Sequence, residues 1–71
     1  MAMRLTYKGQ DSWSRPVYES EAGRLYVDVD PVSHCPPKVC TKYQNDFDGE
    51  PDYQVHPEGG FEFVPERVVW W

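Results

Sequence analysis

The sequence predicts a mainly β domain: a small antiparallel sheet of about five or six short strands, with irregular loops and little helix. Three observations lead to this prediction. Apolar and polar residues alternate in several short segments, as they do on half-buried strands. Seven prolines and five glycines divide the chain into short pieces, which disfavours long helices. A helical period is absent except for a weak one at 66–71.

The N-terminal half predicts three strands. The segment MRLTYK alternates apolar and polar side chains and ends at Gly9. The segments RPVYESE and RLYVDVD alternate in the same way and meet at Ala22-Gly23, where glycine can adopt a positive φ, so residues 15–30 predict a β-hairpin. On its second strand the predicted buried face carries Leu25, Val27 and Val29, and the predicted exposed face carries Tyr26, Asp28 and Asp30.

The C-terminal half predicts shorter strands between irregular segments. After the proline-rich segment PVSHCPPKVC, a strand is predicted from Val39 to Tyr43 and another around residues 53–55, with a turn at Asp48-Gly49 between them. The segment FEFV alternates again and predicts the last strand.

The 71 residues form a single small domain, 1–71. Because so short a chain buries only about 60% of its unfolded surface, its aromatic side chains are expected to supply much of the core. Trp13 is predicted to be largely buried, closing one end of the sheet from a turn fixed by Asp11 and serine side chains; binding to a partner is the alternative. Trp70 is predicted to pack back on the sheet, and Trp71 could contact a second copy or a larger partner.

The charge of the chain is acidic and unevenly distributed. The formal net charge is −5, and nine acids between residues 28 and 66 face only Lys38 and Lys42. Such a surface repels phosphate backbones and anionic lipids, so direct nucleic-acid binding and membrane binding are not expected. An acidic decoy that mimics DNA and inhibits a host nucleic-acid enzyme is an alternative function.

The cellular location is predicted to be the cytoplasm. The opening segment MAMRLTYKGQ has no apolar core of a signal peptide, and no apolar stretch approaches the about 18 residues of a membrane span. The two cysteines are therefore expected to be reduced.

Metal binding and catalysis receive little support. Low-probability zinc ligands are His34, Cys35, Cys40 and His56, whose spacing matches no usual zinc knuckle; a small zinc-binding regulator is a further alternative. The Pro36-Pro37 pair favours an extended chain between the cysteines, which disfavours a disulfide. No catalytic or phosphate-binding motif is present, so the chain is predicted not to be an enzyme and to need no cofactor.

Four segments, DSWSRPVY, GRLYVDVDP, TKYQNDFDGEPDY and FEFVPERVVW, together resemble a small bacterial domain. It occurs alone and as an appendage of the very large polyvalent proteins of phages and conjugative elements (the large polyvalent protein-associated domains). The resemblance spans residues 4–70 and leaves out HCPPKVC. It implies a mobile-element context and an intracellular site, and it carries no activity or catalytic residue.

The function predicted from these observations is a non-catalytic β-rich module that acts through contact with an unknown protein, as a monomer or a weak homodimer. Aromatic residues are enriched where proteins bind each other, and they supply the candidate contact residues: Trp13, Tyr18, Tyr26, Trp70 and Trp71.

Overall fold

A computed structural model describes residues 2–70 and contains one six-stranded sheet within that range. The strands lie in the order β5-β4-β3-β2-β1-β6. All neighbouring pairs are antiparallel except β1 and β6, which are parallel. Their bounds are β1 (Met3–Gln10), β2 (Pro16–Ser20), β3 (Leu25–Asp28), β4 (Val39–Lys42), β5 (Pro51–Gln54) and β6 (Phe61–Val64).

The predicted fold class is confirmed, and so is the central hairpin. Strands β2 and β3 pair with Val17 opposite Val27 and Tyr18 opposite Tyr26, and Gly23 in the turn has a φ of 83°. The first strand runs on through Gly9, where its register with β2 shifts. A 3-10 turn at Tyr43–Asn45 begins where the fourth strand was predicted to end.

The main core lies on one face of the sheet. Leu5, Tyr18, Tyr26 and Val39 are buried together there, because residues paired across neighbouring strands project to the same face. The connection from β5 to β6 must cross this face, since the two strands lie at opposite edges. It contributes Val55, and β6 contributes Phe61 and Phe63 to the cluster.

The opposite face is covered by the loop after β4. Val17 and Val27 project to this face and are fully buried. The loop 43–50 spans the sheet: Asn45 Oδ1 accepts the Leu25 N–H at 2.6 Å, and Phe47 packs against Gly9. A sheet of short strands thus acquires apolar contacts on both sides.

This second covered face corrects the prediction for the hairpin. Val27 is buried as predicted, but Leu25 and Val29 are only partly buried. Tyr26 and Asp28, which were expected to be exposed, are buried. The alternation predicted that one face of β3 is exposed to solvent. Instead β3 lies between β2 and β4, and other segments of the chain cover both of its faces. Strands buried on both faces do not show a polar side.

Across residues 2–70, the chain forms no helix with the length and apolar character needed to cross a membrane.

Candidate functional site

The turn that carries Trp13 is held by a dense set of hydrogen bonds. The Asp11 Oδ1 accepts the N–H groups of Trp13 and Arg15, both at 3.0 Å. The Ser14 N–H donates to the Asp11 carbonyl at 2.9 Å, and the Ser12 N–H donates to Asp48 Oδ1 at 3.0 Å. The predicted role of the aspartate in fixing this turn is confirmed, and the turn presents Trp13 in one backbone conformation.

A buried charge cluster underlies the same turn. The Lys42 Nζ donates to Asp11 Oδ2 at 2.7 Å and to the Gly49 carbonyl at 3.1 Å. Arg15 donates to the same carboxylate oxygen from Nε at 3.1 Å and from Nη2 at 2.9 Å. The side chains of Asp11 and Lys42 are both fully buried, so each charge depends on the other. The cluster ties the turn to the end of β4.

The pKa of the Asp11 carboxyl reflects two opposing influences. Burial raises this pKa. The hydrogen bonds from Lys42 and from the backbone and side chain of Arg15 together lower it by more than burial raises it, so the pKa falls from 3.8 to about 2. Hydrogen bonds to the charged form favour that form.

The stability of the domain should therefore decline in acid. Because the folded-state pKa of Asp11 is lower than the unfolded one, its ionised form stabilises the fold above about pH 4. This contribution is lost as the pH falls from about 4 to about 2. We expect the carboxyl carbon of Asp11 to titrate at about 2 in a nuclear magnetic resonance (NMR) experiment. A midpoint at or above 3.8 would show that the lysine pair does not form in solution.

Trp13 itself contradicts the prediction of burial, since 66% of its surface is exposed. The indole does not pack into the core, because the loop 43–50 covers the adjacent face of the sheet and the buried charge cluster occupies the space beneath the turn. The only cation on its ring is Arg15 among residues 2–70, with the guanidinium carbon 5.9 Å from the ring centroid.

Trp13 and Trp70 line one groove. This indole groove has a volume of about 530 Å³ and is lined chiefly by Trp13, Arg15, Val29, Asp30, Pro31 and Trp70. Ligand sites typically have volumes of about 300–1,000 Å³ and combine apolar walls with a few polar groups. The groove has that composition, with two indoles, the apolar residues Val29 and Pro31, and the charged side chains of Arg15 and Asp30.

Trp70 is 38% exposed, and both its indole and its backbone form hydrogen bonds. Its indole Nε1 donates to the Ser14 carbonyl at 2.6 Å, and its backbone N–H donates to the Pro31 carbonyl at 2.8 Å. It therefore packs against the Trp13 turn and the end of β3, not over the sheet.

The C-terminal segment that carries Trp70 is fastened by Arg67. Its guanidinium donates to the carbonyls of Cys35 and Val32 at 2.9 and 3.0 Å, and its Nε lies 3.5 Å from the buried Asp28 carboxylate. The Val68 N–H donates to the Tyr18 hydroxyl at 3.0 Å. These contacts hold the segment that places Trp70 in the lining of the indole groove.

The two tyrosine candidates do not join this surface. Tyr18 and Tyr26 are buried in the main core, so they are not accessible to a partner as they were expected to be. Burial also raises the pKa of the Tyr18 phenol. Trp71 lies outside the described residues. Of the four candidates that the structure describes, Trp13 and Trp70 are the two that it brings to one groove.

The candidate zinc ligands do not form a group of three or more in the described part of the chain. Within residues 2–70, no group of three or more His, Cys, Asp or Glu side chains is arranged to hold a metal ion. The thiols of Cys35 and Cys40 are free and partly buried. Burial, followed by the charge of Asp28, raises the pKa of the Cys40 thiol, which lowers its reactivity because the thiolate is the nucleophile.

Sequence reasoning missed the residues that build the groove from a distance. Lys42 and Arg67 lie 31 and 37 residues from Asp11 and Asp30, whose positions they fix. No local pattern marks either residue. The only available signals were that Lys42 falls within the predicted strand 39–43 and that Arg67 directly precedes the apolar pair Val68-Val69.

Comparison of the chain with protein-family models, with curated proteins and with solved structures found no match to any of them.

Proposed function

We propose that the chain is a non-catalytic module that binds a partner protein through the indole groove. The observation that supports this most directly is the exposure of Trp13 on a turn whose backbone N–H groups from Asp11 to Arg15 are all bonded. A rigid, exposed tryptophan loses little conformational entropy when it binds, and tryptophan is enriched among residues that dominate binding energy.

The proposed partner is a protein, because the exposed surface is acidic. The acids of the chain's second half are largely exposed, among them Asp46, Asp48, Glu50, Asp52, Glu58, Glu62 and Glu66. A nucleic acid or an anionic membrane would be repelled by this surface. We also propose that the chain works in the cytoplasm of a cell that carries a mobile element, which is the context that its sequence resemblance implies, and that it acts as a monomer or weak homodimer.

The same exposed acids support a second candidate, an acidic decoy that occupies the DNA site of a host enzyme. Competition with DNA distinguishes the two functions. A decoy is displaced from its target by duplex DNA, and its binding weakens when several acids of residues 52–66 are neutralised. A groove-binding module is not displaced by DNA, its binding does not change when those acids are neutralised, and it depends on Trp13.

Trp13→Ala should leave the fold intact and remove partner binding. Because the ring is mostly exposed, its loss should change the free energy of unfolding by only about 0.5 kcal/mol. The matched control is Tyr53→Ala, which truncates a 70% exposed aromatic on β5, outside the residues that line the groove. Immobilised wild type and both variants are incubated with a lysate of a host cell, and the retained proteins are quantified.

We expect at least one protein that the wild type and the Tyr53→Ala variant retain and that the Trp13→Ala variant loses. Equal retention by all three would contradict the proposed binding surface. Unfolding of the Trp13→Ala variant, measured by circular dichroism, would contradict the exposed position of the ring.

A further inference from the structure

We propose that the ligand of the indole groove is a proline-rich segment in the polyproline II conformation with a basic residue beside the prolines. This inference rests on the proposed function and specifies its partner. Three features of the groove support it: its two indole side chains, its further apolar lining residues, and the negative sign of the charge around it.

The shape of the groove suits a polyproline II ligand. Trp13 and Trp70 both line it, together with the apolar residues Val29 and Pro31. Grooves lined by aromatic side chains are a recurring way of binding proline-rich segments, whose extended helix is already formed before binding. Prolines place flat apolar rings against indoles and lose little conformational entropy.

The Trp70 indole and the backbone of the Trp13 turn are linked before any ligand binds. The Trp70 indole N–H donates to the Ser14 carbonyl of that turn, so the two belong to one hydrogen-bonded unit. A preformed groove avoids the ordering cost that a flexible site would add to binding.

The charge around Trp13 selects a basic flank. Asp30 lines the indole groove, and within residues 2–70 no cationic side chain lies within 4.0 Å of its carboxylate. Glu50 lines an adjoining depression together with Trp13, Arg15 and Pro51. Arg15 is the one cation that lines the groove, and it shares the Asp11 carboxylate with Lys42, so that cluster keeps one net positive charge. The Asp30 and Glu50 carboxylates outnumber that charge, so an arginine or lysine next to the prolines is favoured over an acidic residue.

A small cation alone fits less well. An aromatic cage for a quaternary ammonium group surrounds it with ring faces within about 6 Å. Here Arg15 already stands over the Trp13 ring, and the volume of the whole groove, about 530 Å³, is larger than a quaternary ammonium group needs.

The test uses synthetic peptides and the full chain. The probe is an oligoproline peptide that ends in an Arg-Arg pair, titrated into isotopically labelled protein while the indole N–H signals are followed by NMR. Two matched peptides isolate each feature: one ends in Glu-Glu, and one replaces the prolines by alternating glycine and serine but keeps Arg-Arg. Trp13→Ala, Asp30→Asn and the control Tyr53→Ala are titrated in the same way.

We expect the basic oligoproline peptide to bind best and to shift the Trp13 indole signal. Trp13→Ala should weaken its affinity by at least about tenfold, the scale of a central aromatic contact. Asp30→Asn should weaken it by about threefold, as for an exposed ion pair, and Tyr53→Ala should leave it unchanged. Circular dichroism of each variant checks that it remains folded.

Two results would overturn the ligand class: equal binding of the Glu-Glu peptide, or equal binding of the glycine-serine peptide. If no peptide binds while Trp13-dependent retention of a host protein persists, the ligand class is wrong and the proposed function stands. If neither occurs, both are wrong. Concentration-dependent self-association that Trp13→Ala abolishes, measured by sedimentation, would overturn the inference in favour of a second copy as the occupant.

Discussion

Asp11→Ala should unfold the domain or leave it without fixed tertiary structure. The substitution removes a carboxylate that accepts hydrogen bonds from Lys42, from the Arg15 side chain and from two backbone N–H groups. It also leaves the fully buried Lys42 ammonium without its counter-charge. Breaking one partner of a buried ion pair costs about 3–5 kcal/mol, and a small domain has a total stability of only about 5 kcal/mol.

The matched control for this prediction is Asp52→Ala, which removes an exposed carboxylate from β5. We expect it to change the free energy of unfolding by no more than about 0.5 kcal/mol. Lys42→Met should cost less than Asp11→Ala, because Asp11 then keeps its bonds with Arg15 and the turn. Urea unfolding followed by circular dichroism measures all three variants. An Asp11→Ala protein that unfolds at the same urea concentration as the wild type would show that the cluster contributes nothing to stability.

Tyr18→Ala should be the most destabilising truncation in the apolar core. Tyr18 is fully buried on β2, and its ring centroid lies 4.9 Å from that of Phe63 and 5.9 Å from that of Tyr7. It thus joins β1, β2 and β6 on the main face of the sheet. Removing a buried aromatic ring costs about 3–5 kcal/mol, so this variant should also be largely unfolded.

Two further variants separate the ring from its hydroxyl. Tyr18→Phe keeps the packing but removes the acceptor of the partly buried Val68 N–H, at a cost of about 0.5–1.5 kcal/mol, the net contribution of an ordinary hydrogen bond. It should loosen the C-terminal segment and shift the Trp70 indole signal in NMR spectra. Tyr53→Ala, the same truncation at an exposed position, should change stability by at most about 0.5 kcal/mol. Equal melting temperatures for Tyr18→Ala and Tyr53→Ala would contradict the core position of Tyr18.

The fate of the two tryptophans illustrates why the candidate site was only partly predictable. The aromatic content of the chain indicated a binding surface, and the polar neighbours of Trp13 indicated a turn. Whether the ring was buried depended on Phe47 and Lys42, which reach the same side of the sheet from another loop and strand. The burial of a residue in a turn depends on which distant residues pack against it, and the adjacent residues in the sequence do not reveal them.

The strands of this protein and the turn that carries Trp13 follow from local sequence, because alternation, glycine, proline and the side chain of Asp11 act over a few residues. The acidic surface follows from the composition. Contacts between distant parts of the chain set which faces of the strands are covered, that β6 joins β1 in parallel, and that Trp13 and Trp70 line one groove. Those outcomes depend on pairs such as Asp11 with Lys42 and Asp28 with Arg67. Such pairs are distant in sequence and are brought together only when the sheet and its connecting loops fold as one unit.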